Sequence, residues 1–100
     1  MTFHTKTMLT IVTEAVLEND LVALFEAQKV RGWTIVAARG KGAHGEKRGS
    51  FDANENIQIE LIIDTASGEA LAEDIMRRFG EHYALVQWLS EVRVLRGNKF

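Results

Sequence analysis

Trp33-Thr-Ile-Val-Ala-Ala38 and Ile57-Gln-Ile-Glu-Leu-Ile-Ile63 are two strand-like runs, and the residues between them, Arg39 to Asn56, hold four glycines and many charges but no helical period. The second run begins with strict apolar and polar alternation, the mark of a half-buried strand. Both are rich in the β-branched residues that suit a pleated surface. Two successive strands with no helix between them place the turning point of the fold here, and the flanking sequence supplies the rest. Upstream, Thr5 to Val12 carries Met8, Leu9, Ile11 and Val12 among threonines and reads as a first strand. Thr13 is expected to cap a helix in which Leu17, Leu21, Leu24, Phe25 and Gln28 share one face, with Gly32 as its left-handed stop. Downstream, Ser67 is expected to cap a second helix with Leu71, Ala72, Ile75, Met76 and Phe79 in its stripe, closed by Gly80. Tyr83 to Leu95 is expected to form a fourth, bent strand.

Strand, helix, strand, strand, helix, strand is the split βαβ order of α+β ferredoxin-like folds, in which two helices cover one face of a four-stranded antiparallel sheet. The 100 residues are expected to form a single domain over 1–100, with a long loop at about 40–56. Each helix has one apolar stripe, yet the strands carry apolar residues on both faces, as Leu9 and Met8, Ile35 and Val36, Leu61 and Ile62, Leu85 and Val86 show, with Trp88 adding a large group. The uncovered face calls for another subunit.

Composition narrows the function. With 46% hydrophobic and 26% charged residues and a net charge of −2, global charge selects no partner. There is no cysteine, which removes disulfides, thiolate zinc sites and Cys nucleophiles, and no proline. No apolar run has the length of a membrane span and no secretory pattern opens the chain, so a cytoplasmic protein without membrane insertion is expected. His4, His44 and His82 are too dispersed for a local metal motif. Glu60 and Asp64 share a strand without a nucleophile or orienting partner, so no catalytic set is visible and an enzyme is not expected. A small hydrolase of the acyl-phosphate type on the same scaffold is the alternative. RNA binding ranks last, because the strands lack paired aromatics for base stacking and no nucleic-acid partner is expected.

Local charge is more telling. Arg39, Lys41, Lys47 and Arg48 face only Glu46 in the segment from 39 to 49, a formal 4 − 1 = +3 in an acidic chain. Gly40, Gly42 and Gly45 free the backbone to turn several N–H groups toward one anion, and Arg39 and Lys41 add charge. The element that follows is not an immediate helix, which argues against a P-loop and a dinucleotide fingerprint.

Gly32-Trp-Thr-Ile-Val-Ala-Ala-Arg-Gly40-Lys-Gly42 resembles the strand of the PII signalling superfamily that leads into a G-x-G at the base of its T-loop, and the chain is similar to the PII-like proteins associated with carboxysomes and bicarbonate transport. Asn56-Ile-Gln-Ile-Glu60 resembles the strand leaving that loop, and Glu91-Val-Arg93-Val-Leu-Arg96 the C-terminal strand with its basic nucleotide contacts. The resemblance covers nearly the whole chain. It implies a homotrimer that binds an adenine nucleotide in each inter-subunit cleft, with a T-loop read by a protein partner, a transporter or a carboxysome component. On this resemblance Thr34 and Glu60 lie near the base, with Glu60 accepting from an adenine amino group, and Val12, Val36 and Ile62 line an apolar slot beside Thr13 and Trp33. Gly40, Lys41, Gly42, His44 and Gly45 face phosphates, Arg93 and Arg96 contribute charge, and His82 touches the nucleotide across the interface. Large aromatics in short domains more often pack in cores and interfaces than stack on ligands, so Trp33 and Trp88 are not expected to stack on adenine. The chain departs from the PII pattern at Ala43 and His44, where an arginine–glutamine pair is usual, and at Asn56, where a lysine is usual. Gly80-Glu-His-Tyr replaces the glycine-rich B-loop, and the T-loop tyrosine that is uridylylated is missing. Fewer phosphate donors imply AMP, ADP or a cyclic nucleotide rather than ATP, with bicarbonate completing the site beside Arg39, Lys41 and His44.

Overall fold

The computed structural model describes residues 1–41 and 55–100. Four strands, β1 (His4–Glu14), β2 (Thr34–Ala38), β3 (Asn56–Ile63) and β4 (Leu85–Val94), form one sheet in the order β2-β3-β1-β4. Every neighbouring pair is antiparallel. Helix α1 (Glu18–Ala27) follows a short 3-10 turn at Ala15–Leu17, and α2 (Thr65–Phe79) joins β3 to β4. This is the expected ferredoxin-like arrangement, with β1 and β3 at the centre, each paired on both sides.

Side-chain parity sorts the sheet into two faces. Leu9 and Ile11 of β1 and Ile57, Ile59 and Leu61 of β3 point toward the helices and pack with Leu21, Leu24, Phe25, Leu71 and Ile75 in one buried cluster. Phe25 also meets the Trp33 ring at 5.4 Å between centroids, so Trp33 spends its area on the core side. Alternate residues form the opposite face. Val36, Val86 and Trp88 there are 50%, 45% and 49% exposed, and neither helix covers them. No helix among the described residues is long and apolar enough to cross a membrane.

Several boundaries differ from expectation for identifiable reasons. Thr13 does not cap a helix: it pairs with both Ile57 and Leu85, its side chain is buried, and its hydroxyl donates to the Ala84 carbonyl at 2.7 Å. Pairing on two sides outweighs a threonine's local preference for a cap. The left-handed residue that stops α1 is Lys29, with φ 61°, rather than Gly32. Val30 N–H bonds Phe25 O at 2.9 Å and Lys29 N–H bonds Glu26 O at 3.1 Å, the paired bonds of a Schellman ending, and Val30 packs on the core beside it. Helix α2 starts after Asp64, so Ser67 lies inside it, and Asp64 spends its carboxylate on Lys6 at 2.9 Å instead of capping. Gly80 ends α2 in right-handed geometry. A Cβ there would come within 2.7 Å of the Met76 carbonyl, so close approach accounts for the glycine. Strand β4 starts at Leu85, two residues later than expected, and the chain closes with a 3-10 turn at Gly97–Lys99.

Candidate functional site

The open face of the sheet is an ordered series of rows. Thr34 lies opposite Glu60, Val36 opposite Gln58, and Ala38 opposite Asn56 across β2 and β3. The rows continue onto β1, where Glu60 faces Thr10, Gln58 faces Val12 and Asn56 faces Glu14. Each step along the strands advances about 7 Å toward Gly40 and Lys41. A polar row, an apolar row and a loop base thus follow one another in a line.

Two grooves mark the ends of that line. Met8, Trp33, Thr34, Glu60, Ile62 and Phe100 line one of about 300 Å³. It gathers four residues singled out from the sequence and adds Met8 and Phe100. Glu60 is approached by the Gln58 amide at 3.4 Å, a weak contact that leaves its carboxylate available to a ligand. The other groove, about 250 Å³, brings Val12, Arg39, Gly40 and Lys41 together with Val86 and Trp88. A Cβ at Gly40 would meet nothing within 4 Å among the described residues. Val36 lies between the grooves, half exposed. Fully buried on the same face, the Thr10 hydroxyl has no hydrogen-bond partner among the described residues.

Other expected residues sit elsewhere. Thr13 faces the helices and is committed to Ala84, away from both grooves. Gly42, His44 and Gly45, with most of the expected loop, lie outside the described residues. His82 is exposed in the turn after α2, at the same end of the sheet as the loop base. Arg93 pairs through its backbone with Thr5, at the far end of β1, and its guanidinium lies 4.6 Å from the centre of the Phe3 ring. Arg96 is exposed two residues past β4. From Thr5 to Glu14, β1 spans about 30 Å, more than any arginine side chain crosses. Within one protomer the arginines therefore do not meet the loop base. No group of three or more His, Asp or Glu among the described residues is placed to hold a metal ion.

Met8, Phe100 and Glu14 were not among the expected site residues. Met8 shares the parity of Val12 and could have been placed by it. Phe100 reaches the first groove because the terminal 3-10 turn folds back, where the Arg31 guanidinium donates to the Asn98 carbonyl. Glu14 accepts from the Ala84 N–H at 2.7 Å, a contact between positions far apart in sequence that no local pattern announces.

The model of the nitrogen regulatory protein P-II family matches residues 6–99. This chain belongs to the P-II family. No curated protein sequence matches it. Among solved structures, a PII-like signaling protein from Thermus thermophilus superposes with a TM-score of 0.83 at 29% identity, covering 100% of this chain and 99% of that one. CPII from Thiomonas intermedia, bound to ADP and bicarbonate, gives a TM-score of 0.82 at 26% identity over 99% and 97% of the two chains. The same protein bound to ADP, AMP and bicarbonate gives 0.79 at 25% identity over 95% and 98%. The P-II family is one of regulatory proteins, and the fold found here is that of its PII-like members.

Proposed function

We propose that this P-II family member is a non-enzymatic sensor, a single domain over residues 1–100 that assembles as a cytoplasmic homotrimer and binds an adenine nucleotide in each cleft between subunits. AMP or ADP is favoured over ATP, and bicarbonate is the accompanying anion beside Arg39 and Lys41. Occupancy of the cleft sets the state of the loop at about 40–56, which a protein partner concerned with inorganic carbon or energy status reads.

The carrying observation is the arrangement of the open face. Thr34 and Glu60 offer polar groups to a base edge, Val12, Val36 and Ile62 offer apolar contact to its ring, and Gly40 and Lys41 stand where phosphates would follow. Trp88 and Val86 leave apolar area on that face, which another copy of the sheet would cover. Arg93 and Arg96 lie too far along the sheet to serve the loop base of their own subunit, which suits a site completed by a neighbour. CPII, with ADP and bicarbonate bound, supports the choice of ligands.

Titration calorimetry with AMP, ADP, ATP and cyclic AMP, each with and without bicarbonate, tests this, alongside light scattering for subunit number. Micromolar binding of AMP or ADP by a trimer is expected. A monomer, or a trimer that binds none of the four, would refute the proposal.

A further inference from the structure

Both backbone polar groups of Ala84, its N–H and its carbonyl, are held by the end of β1. Thr13 Oγ1 donates to the Ala84 carbonyl and Glu14 Oε2 accepts from the Ala84 N–H, each at 2.7 Å. The turn from Gly80 to Ala84 is thereby strapped down at the loop end of the sheet. A backbone N–H at that end is the kind of donor that otherwise serves an anion. Here a carboxylate of the protein already occupies it, as a ligand phosphate would.

Glu14 also brings a charge. It stands in the row Glu14–Asn56–Ala38, one step along β1 from Val12, and Val12 lines the groove with Arg39, Gly40 and Lys41. Neighbouring strands lie about 5 Å apart, so the Glu14 backbone stands roughly 10 Å across the sheet from Ala38, two residues before Gly40. Any phosphate added beyond the second would extend into the field of Glu14 with no free Ala84 donor to receive it.

We infer that Glu14 is a specificity-determining residue that limits the phosphate length of the ligand, admitting nucleoside mono- and diphosphates and disfavouring triphosphates. This rests on the nucleotide reading of the open face and assigns its preference to one side chain. The mechanism is repulsion plus a pre-occupied donor, so removing the charge while keeping an acceptor should relax it.

The test is calorimetry with AMP, ADP and ATP in magnesium-free buffer at low ionic strength, on wild type, Glu14→Gln and Glu14→Asp. The Gln side chain keeps an oxygen for Ala84 N–H, and circular dichroism checks that each variant folds. For Glu14→Gln the ratio of Kd for ATP to Kd for ADP is expected to fall by about threefold to tenfold, the effect of one unit charge at this distance after partial screening. Glu14→Asp, which keeps the charge but frees the Ala84 donor, is expected to show a smaller fall than Glu14→Gln. An unchanged ratio in Glu14→Gln, or an equal fall in both variants, overturns the inference while leaving nucleotide binding intact. Failure of wild type to bind any of the three overturns the underlying reading as well.

Discussion

Replacing Trp88 by Ala measures what covers the open face. Trp88 is 49% exposed on the protomer and stands beside Val86, in register with Thr10. A tryptophan carries up to about 250 Å² of buriable surface, so about 120 Å² remains for a neighbour to cover. At about 25 cal/mol per Å² that area contributes about 3 kcal/mol for each subunit. Three copies meet in a closed ring, so assembly would weaken by about 9 kcal/mol in total, an upper estimate because the facing side chains repack. A trimer that withstands dilution to nanomolar protein is then expected to dissociate in the micromolar range. Sedimentation equilibrium over a dilution series reads the change, and wild-type Trp88 emission should shift to the red on dissociation. If Trp88→Ala keeps the same mass at every concentration, and wild-type emission does not respond to dilution, the open face is not where copies meet.

Two more substitutions test narrower points. Lys29→Gly should stabilise the chain by about 0.5–1 kcal/mol, because Lys29 holds a left-handed conformation that glycine adopts without Cβ strain; a urea midpoint that fails to rise would show the cap tolerates lysine at no cost. Glu60→Ala should weaken AMP about tenfold or more, the scale of a lost hydrogen bond to a charged group, and should erase preference over GMP while leaving thermal stability alone; retained discrimination would remove Glu60 from the base site.

The fold was legible where burial alone sets the pattern. Ile57, Ile59 and Leu61 alternate because β3 is covered on one side, and Leu21, Leu24 and Phe25 recur at helical spacing because α1 lies on that cover. Local reading failed where a residue's partners come from across the sheet. Thr13 has the chemistry of a cap, but its strand pairs with β3 and β4 at once, and its hydroxyl goes to a carbonyl more than half the chain away. Gly32 looked like a stop, yet α1 ends earlier because Val30 can bury itself against the core. The candidate site divides in the same way. Thr34, Val36 and Gly40 lie on one continuous stretch and could be ordered from it, whereas Phe100 enters the first groove, and Glu14 reaches Ala84, only through contacts made by the folded chain.

The length of β1 makes the sharing of sites between copies testable without a structure of the assembly. Lys41 lies at one end of the sheet, and Arg93, paired with Thr5, at the other, about 30 Å away. If one nucleotide uses both, they belong to different subunits. Lys41→Ala and Arg93→Ala homotrimers should each bind AMP at least tenfold more weakly than wild type, since each loses a charge-assisted contact at every site. When the two variants are unfolded, mixed in equal amounts and refolded together, random assortment around a three-fold ring puts an intact Lys41 opposite an intact Arg93 at about a quarter of the sites. Those sites should recover wild-type affinity, giving a tight-binding fraction absent from either variant alone. A site built within one chain would always carry one defect or the other, and mixing would recover nothing. The stoichiometry of the tight fraction therefore decides between a cleft made by two subunits and a groove owned by one.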